Sequence, residues 1–214
     1  GVERLTLDVV RQGQIHQFSL KKGGFQIPQV DGSTPVQVQF FGRDVHEEIA
    51  TKLIELDQDI VLDLRDNTGG LWTEAIATLD LFFPAKTVVA YRQNVDGTTI
   101  PILAQQESIY TKPLVVLINE QTSGPAELVA LTLQENQRAT VIGERSNGQN
   151  LDYKIQQLNA DTVLMLADTH ILSSQRRTWY HTGVVPNVSV SSQHSYRGED
   201  RQLQTAIQLV NTTP

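Results

Sequence analysis

The chain has 214 residues, a formal net charge of −7, 39% hydrophobic and 19% charged residues, and no cysteine. That length suits one large or two small domains with a sizeable core. The acidic balance argues against a nucleic-acid partner, and the lack of cysteine excludes disulfides, a thiol nucleophile and thiolate metal sites. No run is long and apolar enough for a transmembrane segment, and no signal segment is expected in a chain that opens in mid-pattern at Gly1-Val2-Glu3.

Residues 3–10 and 15–20 alternate apolar and polar residues around Arg11-Gln12-Gly13-Gln14, which predicts a hairpin. Lys21 to Gly24 ends it, and Phe25 to Pro28 leads away. Two strands do not make a stable sheet, so this hairpin reads as the tail of a larger domain. A strand is predicted over Val36–Phe41 and a helix over Asp44–Leu56, with Val45, Ile49, Leu53 and Ile54 near helical spacing. Asp59–Leu64 has the nearly continuous apolar run of a strand buried on both faces. A turn at Arg65–Gly70 precedes a helix over Leu71–Phe83, stopped by Pro84.

Thr87–Arg92 and Thr98–Leu103 flank Asn94-Val95-Asp96-Gly97, a hairpin signal. Pro113–Ile118 reads as a second buried strand, and Pro125 opens a helix reaching Gln134. Proline at the first helical position and Glu127 at the third make an ordinary helix start. A strand feeding directly into a helix is also a common place for a nucleophile, because backbone N–H groups converge there. Ala139–Ile142 is a short strand, followed by the Gly143–Gly148 connection. Asp152–Leu158 and Thr162–Ala167 are strands, with His170–Leu172 pairing near them. Gly183–Asn187 is a turn, and Asp200–Val210 is a closing helix with Leu203, Ala206, Ile207 and Val210 on one face. Strands alternating with helices indicate an α/β core with β additions.

Three segments, in order, resemble the C-terminal processing peptidases, also called tail-specific proteases. The first is Asp63-Leu64-Arg65-Asp66-Asn67-Thr68-Gly69-Gly70 with a helix ending in Leu81-Phe82-Phe83-Pro84; the family has D-L-R-x-N-x-G-G and L-F-hydrophobic-P. The second runs from Pro113 to Glu127 and on to Arg138-Ala139 and Val141-Ile142-Gly143-Glu144. The third pairs Gly183–Asn187 with Asp200, Leu203 and Ala206. The resemblance implies a Clp protease/crotonase-like spiral α/β core over residues 30–214 with a β-rich C-terminal part. It also implies that residues 1–29 are the remnant of a PDZ domain.

The family uses a serine activated by a lysine, with backbone N–H groups holding the oxyanion. The family serine, in S-A-S-A-S-E, falls on Gly124; the lysine, in G-K-G, falls on Gln149; the glutamine that positions the lysine falls on Tyr153. The residue after the serine, normally an oxyanion donor, is Pro125, which has no N–H. The other expected oxyanion turn, Gly69-Gly70, is intact. Glycine cannot attack a carbonyl and glutamine cannot act as a base near neutral pH. The resemblance therefore implies a catalytically degenerate, peptide- or partner-binding relative of a serine-type endopeptidase.

The alternative is an active peptidase using Ser123, with the Gly124 N–H as oxyanion donor and Lys154 as the nearest lysine. A crotonase-type enzyme would share the fold, but no acyl-carrier signature is visible. Asp44, His46 and Glu47 read as a solvated helix start rather than metal ligands. His170, His181 and His194 lack partners at ligand spacing, Trp72 and Trp179 read as packing residues, and Arg176-Arg177 is too short for a nucleic-acid patch. No cofactor is expected. The expected partner is an unstructured polypeptide or C-terminal tail, or a protein. The family suggests an extracytoplasmic setting, in a bacterial envelope or a plastid lumen.

Overall fold

A computed structural model describes residues 4–11, 14–21, 30–31, 35–159, 161–192 and 199–211. Its centre is a six-stranded sheet with spatial order β12-β9-β8-β5-β4-β3. These strands are β3 (Val30–Asp31), β4 (Val36–Val38), β5 (Ile60–Asp63), β8 (Leu114–Ile118), β9 (Thr140–Gly143) and β12 (Val188–Ser189). All neighbours pair in parallel except β3 and β4.

Side-chain alternation explains the layers. Ile60 and Leu62 of β5 and Leu114, Val116 and Ile118 of β8 join the main core with α1 (Val45–Leu56), α2 (Trp72–Asp80) and α3 (Pro125–Glu135). The intervening Val61, Val115 and Leu117 face the opposite way, against Ala206 and Val210 of α4 (Arg201–Val210). A strand buried on both faces has no polar side, which is why these runs read as continuous apolar sequence. On burial alone, each such aliphatic side chain contributes about 1.5–3 kcal/mol.

A second sheet is antiparallel, in the order β10-β11-β6-β7. It comprises β6 (Val88–Asn94), β7 (Thr99–Leu103), β10 (Leu151–Gln157) and β11 (Val163–Leu172). Val89, Ala90 and Ile171 carry it into the main core. The far end of the β10–β11 hairpin is open to solvent, with Ile155 and Met165 opposite one another and 65% and 59% exposed.

Several boundaries differ from expectation. Helix α2 stops at Asp80, because Leu81 and Phe82 N–H groups turn to Thr78 and Leu79 carbonyls and the chain tightens. Strand β4 ends at Val38, and Phe41 instead meets Gly70 through an isolated parallel bridge. The segment 163–172 is one strand whose last part pairs with β6, rather than two pieces. Ile54 is exposed and outside the core, as Asp57 ends α1 in a left-handed conformation one turn later. The N-terminal hairpin forms between β1 (Arg4–Arg11) and β2 (Gln14–Lys21). Its Gln12-Gly13 turn, the connection through Phe25–Pro28 and His194 lie outside the described residues.

A candidate active-site cleft

Three connections leave the C-terminal ends of neighbouring parallel strands, where open α/β sheets place their sites. They follow β5, β8 and β9, and backbone and short polar side chains lace them together. Thr122 Oγ1 donates to the Leu64 carbonyl at 2.8 Å, and Asn119 Nδ2 donates to Asp66 Oδ1 at 2.8 Å. The Ser123 N–H reaches the Asn67 carbonyl at 2.9 Å, and the Asn147 N–H reaches the Thr122 carbonyl at 3.0 Å. Asn67 is fully buried; its Nδ2 donates to the Val38 carbonyl at 2.8 Å and its Oδ1 accepts from the Gly69 N–H at 3.0 Å. A Cβ on Gly70 would lie 2.3 Å from the Phe41 carbonyl oxygen, so only glycine allows Phe41 and this turn to approach.

Gly124 is the N-cap of α3, with φ 56° and ψ −117°. This sharp strand-to-helix turn is costly for a residue with a side chain. The Gly124 N–H donates to Glu127 Oε2 at 2.9 Å, closing the cap anticipated from the sequence. Glu127 does more than cap, for it is completely buried and also accepts from the Gly148 and Gln149 N–H groups, each at 2.7 Å, and from Ser146 Oγ. Burial pushes its carboxyl above the ordinary range, against the pull of the Ser146 hydroxyl and the three N–H donors. Glu127 thus ties the turn at Gly124 to the loop at Gln149.

Ser123, Gly124, Gln149, Tyr153, Gly69 and Gly70 all line one open cleft of about 540 Å³. Leu71, Trp72 and Ile76 of the α2 start and Leu151 supply apolar wall, while Arg92 and Asp152 supply charge. The Gln149 side chain is exposed, although its backbone is held by Glu127 and by Trp179 Nε1, which donates to its carbonyl at 2.9 Å. Tyr153 follows a register shift in the β10–β11 pair, where β11 carries Asp168 as an extra residue opposite the Asp152–Tyr153 step. Among the described residues no lysine or histidine lines the cleft, and its carboxylate is that of Asp152.

Two observations bear on the Ser123 alternative. The Gly124 N–H assigned to an oxyanion is already committed to Glu127. Lys154 is exposed and outside the cleft lining. Of the Gly69-Gly70 pair, the Gly69 N–H is held by Asn67, whereas the Gly70 N–H has no acceptor among the described residues.

Sequence reasoning overlooked Arg92, Asp152 and the second role of Glu127. It also read Trp72 as packing alone. Trp72 does pack, with its ring centroid 6.4 Å from that of buried Trp179, but it lines the cleft as well. Of the weighed metal candidates, His46 Nδ1 lies 2.7 Å from Glu74 Oε2. Burial pushes the Glu74 carboxyl up, but the hydrogen bond from His46 and nearby backbone donors outweigh it and hold it below the ordinary range. Among the described residues no cluster of His, Asp or Glu side chains could hold a metal. His170 and His181 both pack on the Tyr180 ring. Arg177 Nε pairs with Glu135 Oε1 at 2.6 Å, and Arg176 lies over the Tyr91 ring.

The chain is similar to a carboxyl-terminal-processing protease of Synechocystis sp., 31% identical over 169 residues, covering 74% of this chain and 39% of that protein. It is also similar to the chloroplastic carboxyl-terminal-processing peptidase 3 of Arabidopsis thaliana, 29% identical over 136 residues, covering 63% of this chain and 26% of that one. The chain thus spans at most about two fifths of these relatives' length. Among solved structures, a photosystem II D1 C-terminal processing protease superposes with a TM-score of 0.72 at 20% identity, covering 88% of this chain and 56% of that one. A putative S41 protease from Bacteroides fragilis gives 0.68 at 15% identity, covering 97% of this chain and 65% of that one. Residues 33–190 match the sequence profile of peptidase family S41, and with that match spanning most of its length, the chain belongs to this family.

Proposed function

We propose that this chain is a protease-like domain that has lost hydrolysis and retains the cleft as a polypeptide-binding site. One observation carries the reading. The turn at Gly124 keeps the strained backbone, φ 56° and ψ −117°, that presents a nucleophile at a strand-to-helix junction, yet it bears no side chain. Gln149, the position read as the lost base, lines the same cleft and cannot take a proton near neutral pH. Pro125 and the engaged Gly124 N–H leave little to stabilise an oxyanion.

The partner in this reading is an unstructured polypeptide or C-terminal tail, in keeping with the names of the relatives. The setting is extracytoplasmic, in a bacterial envelope or a plastid lumen, and the hairpin of β1 and β2 is the end of a PDZ domain. Among the described residues, no helix is long and apolar enough to cross a membrane.

The test is a serine-directed fluorophosphonate. The purified chain should remain unlabelled at a concentration that labels an active serine peptidase completely. Stoichiometric labelling of Ser123, abolished by Ser123→Ala, would overturn the reading.

A further inference from the structure

In the sheet order β10-β11-β6-β7, β10 is an edge strand with no neighbour on its outer side. At one end the Asn150 carbonyl accepts from the Ile171 N–H at 2.8 Å, and at the other the Leu158 N–H donates to the Thr162 carbonyl at 3.0 Å. Backbone groups alternate sides along a strand, and both of these bonds face β11. The even-numbered residues between them therefore bond toward β11, and Leu151, Tyr153 and Ile155 turn their N–H and carbonyl groups to the open edge. The extra residue at the register shift, Asp168, belongs to β11, so the alternation along β10 is unbroken. Among the described residues, no group bonds these edge N–H and carbonyl groups.

The side chains of β10 suit a second copy of themselves. Opposite residues of an antiparallel pair share a face, so Tyr153 and Ile155 stand beside Ala167 and Met165, and all four are exposed. Edge strands are ordinarily protected by proline or a bulge, and β10 has neither. Its two charges, Asp152 and Lys154, lie on the other face and flank Tyr153. Asp152 is held only loosely by Arg92, at 3.9 Å. A second β10 laid antiparallel about a two-fold axis at Tyr153 sets Asp152 opposite the partner's Lys154, and Lys154 opposite the partner's Asp152. It also sets Leu151 opposite the partner's Ile155 and Tyr153 opposite the partner's Tyr153. Moving the axis to Asp152 or Lys154 would put like charges face to face, and moving it to Ile155 would leave both charges unpaired.

We propose that two copies of this chain associate through β10, joining their antiparallel sheets across a two-fold axis at Tyr153. Main-chain hydrogen bonds hold the two edges together, and the paired charges set their register. A two-fold pairing uses the same edge on both copies, so it closes at a dimer. This association is independent of what the cleft binds.

The experiment is sedimentation velocity on the full chain over a concentration series. A monomer–dimer equilibrium is expected. A monomer at every concentration overturns the proposal, and so do assemblies that keep growing with concentration. Asp152→Lys and Lys154→Asp each set like charges opposite one another at two places, and each should weaken the dimer about tenfold or more. The two substitutions together exchange the charges and should restore it. Ile155→Pro removes an edge-facing N–H while sparing the ladder to β11, and it should leave only monomer. Circular dichroism of each variant, diluted to monomer, should match that of the parent chain; if Ile155→Pro fails to fold, the charge exchange alone decides. A dimer indifferent to both single charge variants, or one that the exchange does not restore, overturns the proposal and places association on another face.

Discussion

Gly124 holds a sharp strand-to-helix turn without a side chain. A side chain at φ 56° and ψ −117° costs about 1–3 kcal/mol of strain. Glycine avoids that cost, and Gly124→Ser should lower stability by about that amount without a steric clash, since Trp72 is 4.0 Å away. The pair Gly124→Ser with Gln149→Lys should give little or no hydrolysis of an unstructured peptide. The new serine would precede Pro125, and losing one oxyanion donor costs about 100- to 1000-fold in rate. The exposed position of Gln149 matters too. A lysine there would escape the desolvation that lowers an amine's pKa, and it would stay protonated near neutral pH. Adding Pro125→Ala should raise hydrolysis above the double variant, measured as kcat/KM. Equal rates for double and triple variants would place the defect in the surroundings of residue 149.

Helix α4 illustrates how one element is fastened from a distance. Asp200 Oδ1 accepts from the Leu203 N–H at 3.0 Å, and Asp200 Oδ2 accepts from Arg65 Nη1 at 2.7 Å. Arg65 also grips buried Asp63 at 2.6 Å, so the guanidinium bridges the end of β5 to the start of α4. Burial pushes the Asp200 carboxyl up, but the helix-cap hydrogen bond and Arg65 outweigh it and leave it below the ordinary range. A depressed folded-state pKa means this stabilisation is present above about pH 4, the ordinary Asp value, and is lost as pH falls through the lower folded value. Asp200→Ala should therefore cost about 1–3 kcal/mol at pH 7, from the lost cap and the uncompensated arginine. In urea unfolding, that deficit should shrink as pH falls below about 4. A deficit that stays constant with pH would mean that α4 is held by its apolar face alone.

At the scale of the molecule, the two sheets share one core, because Val89, Ala90 and Ile171 pack with strands β5 and β8. The chain should unfold in one cooperative thermal transition, with near- and far-ultraviolet circular dichroism changing together. Two separated transitions would show that the antiparallel sheet folds on its own. The outer end of the β10–β11 hairpin contributes little to this unit. Ile155→Lys and Met165→Lys, at exposed positions, should each change stability by no more than about 0.5 kcal/mol.

The order of strands and helices was legible in local periodicity. Buried runs such as Ile60–Asp63 and Leu114–Ile118 are apolar whichever neighbours they meet, and Pro125 with Glu127 specifies a helix start within a few residues. The resemblance to the peptidase motifs likewise pointed to Gly124, Gln149 and Tyr153, which line one cleft. Hydrogen-bond ownership was not legible. Glu127 read as a cap, but folding also brings it the Gly148 and Gln149 N–H groups from a distant loop. Arg92 and Trp72 reach the cleft only because antiparallel β6 and β11 and the start of α2 converge beside Gly124. Local sequence records which face of an element is apolar, because that pattern repeats within one or two turns. The partner of a donor across a hundred residues is set by tertiary packing, and here that packing engages the Gly124 N–H and leaves the Gly70 N–H without an acceptor among the described residues.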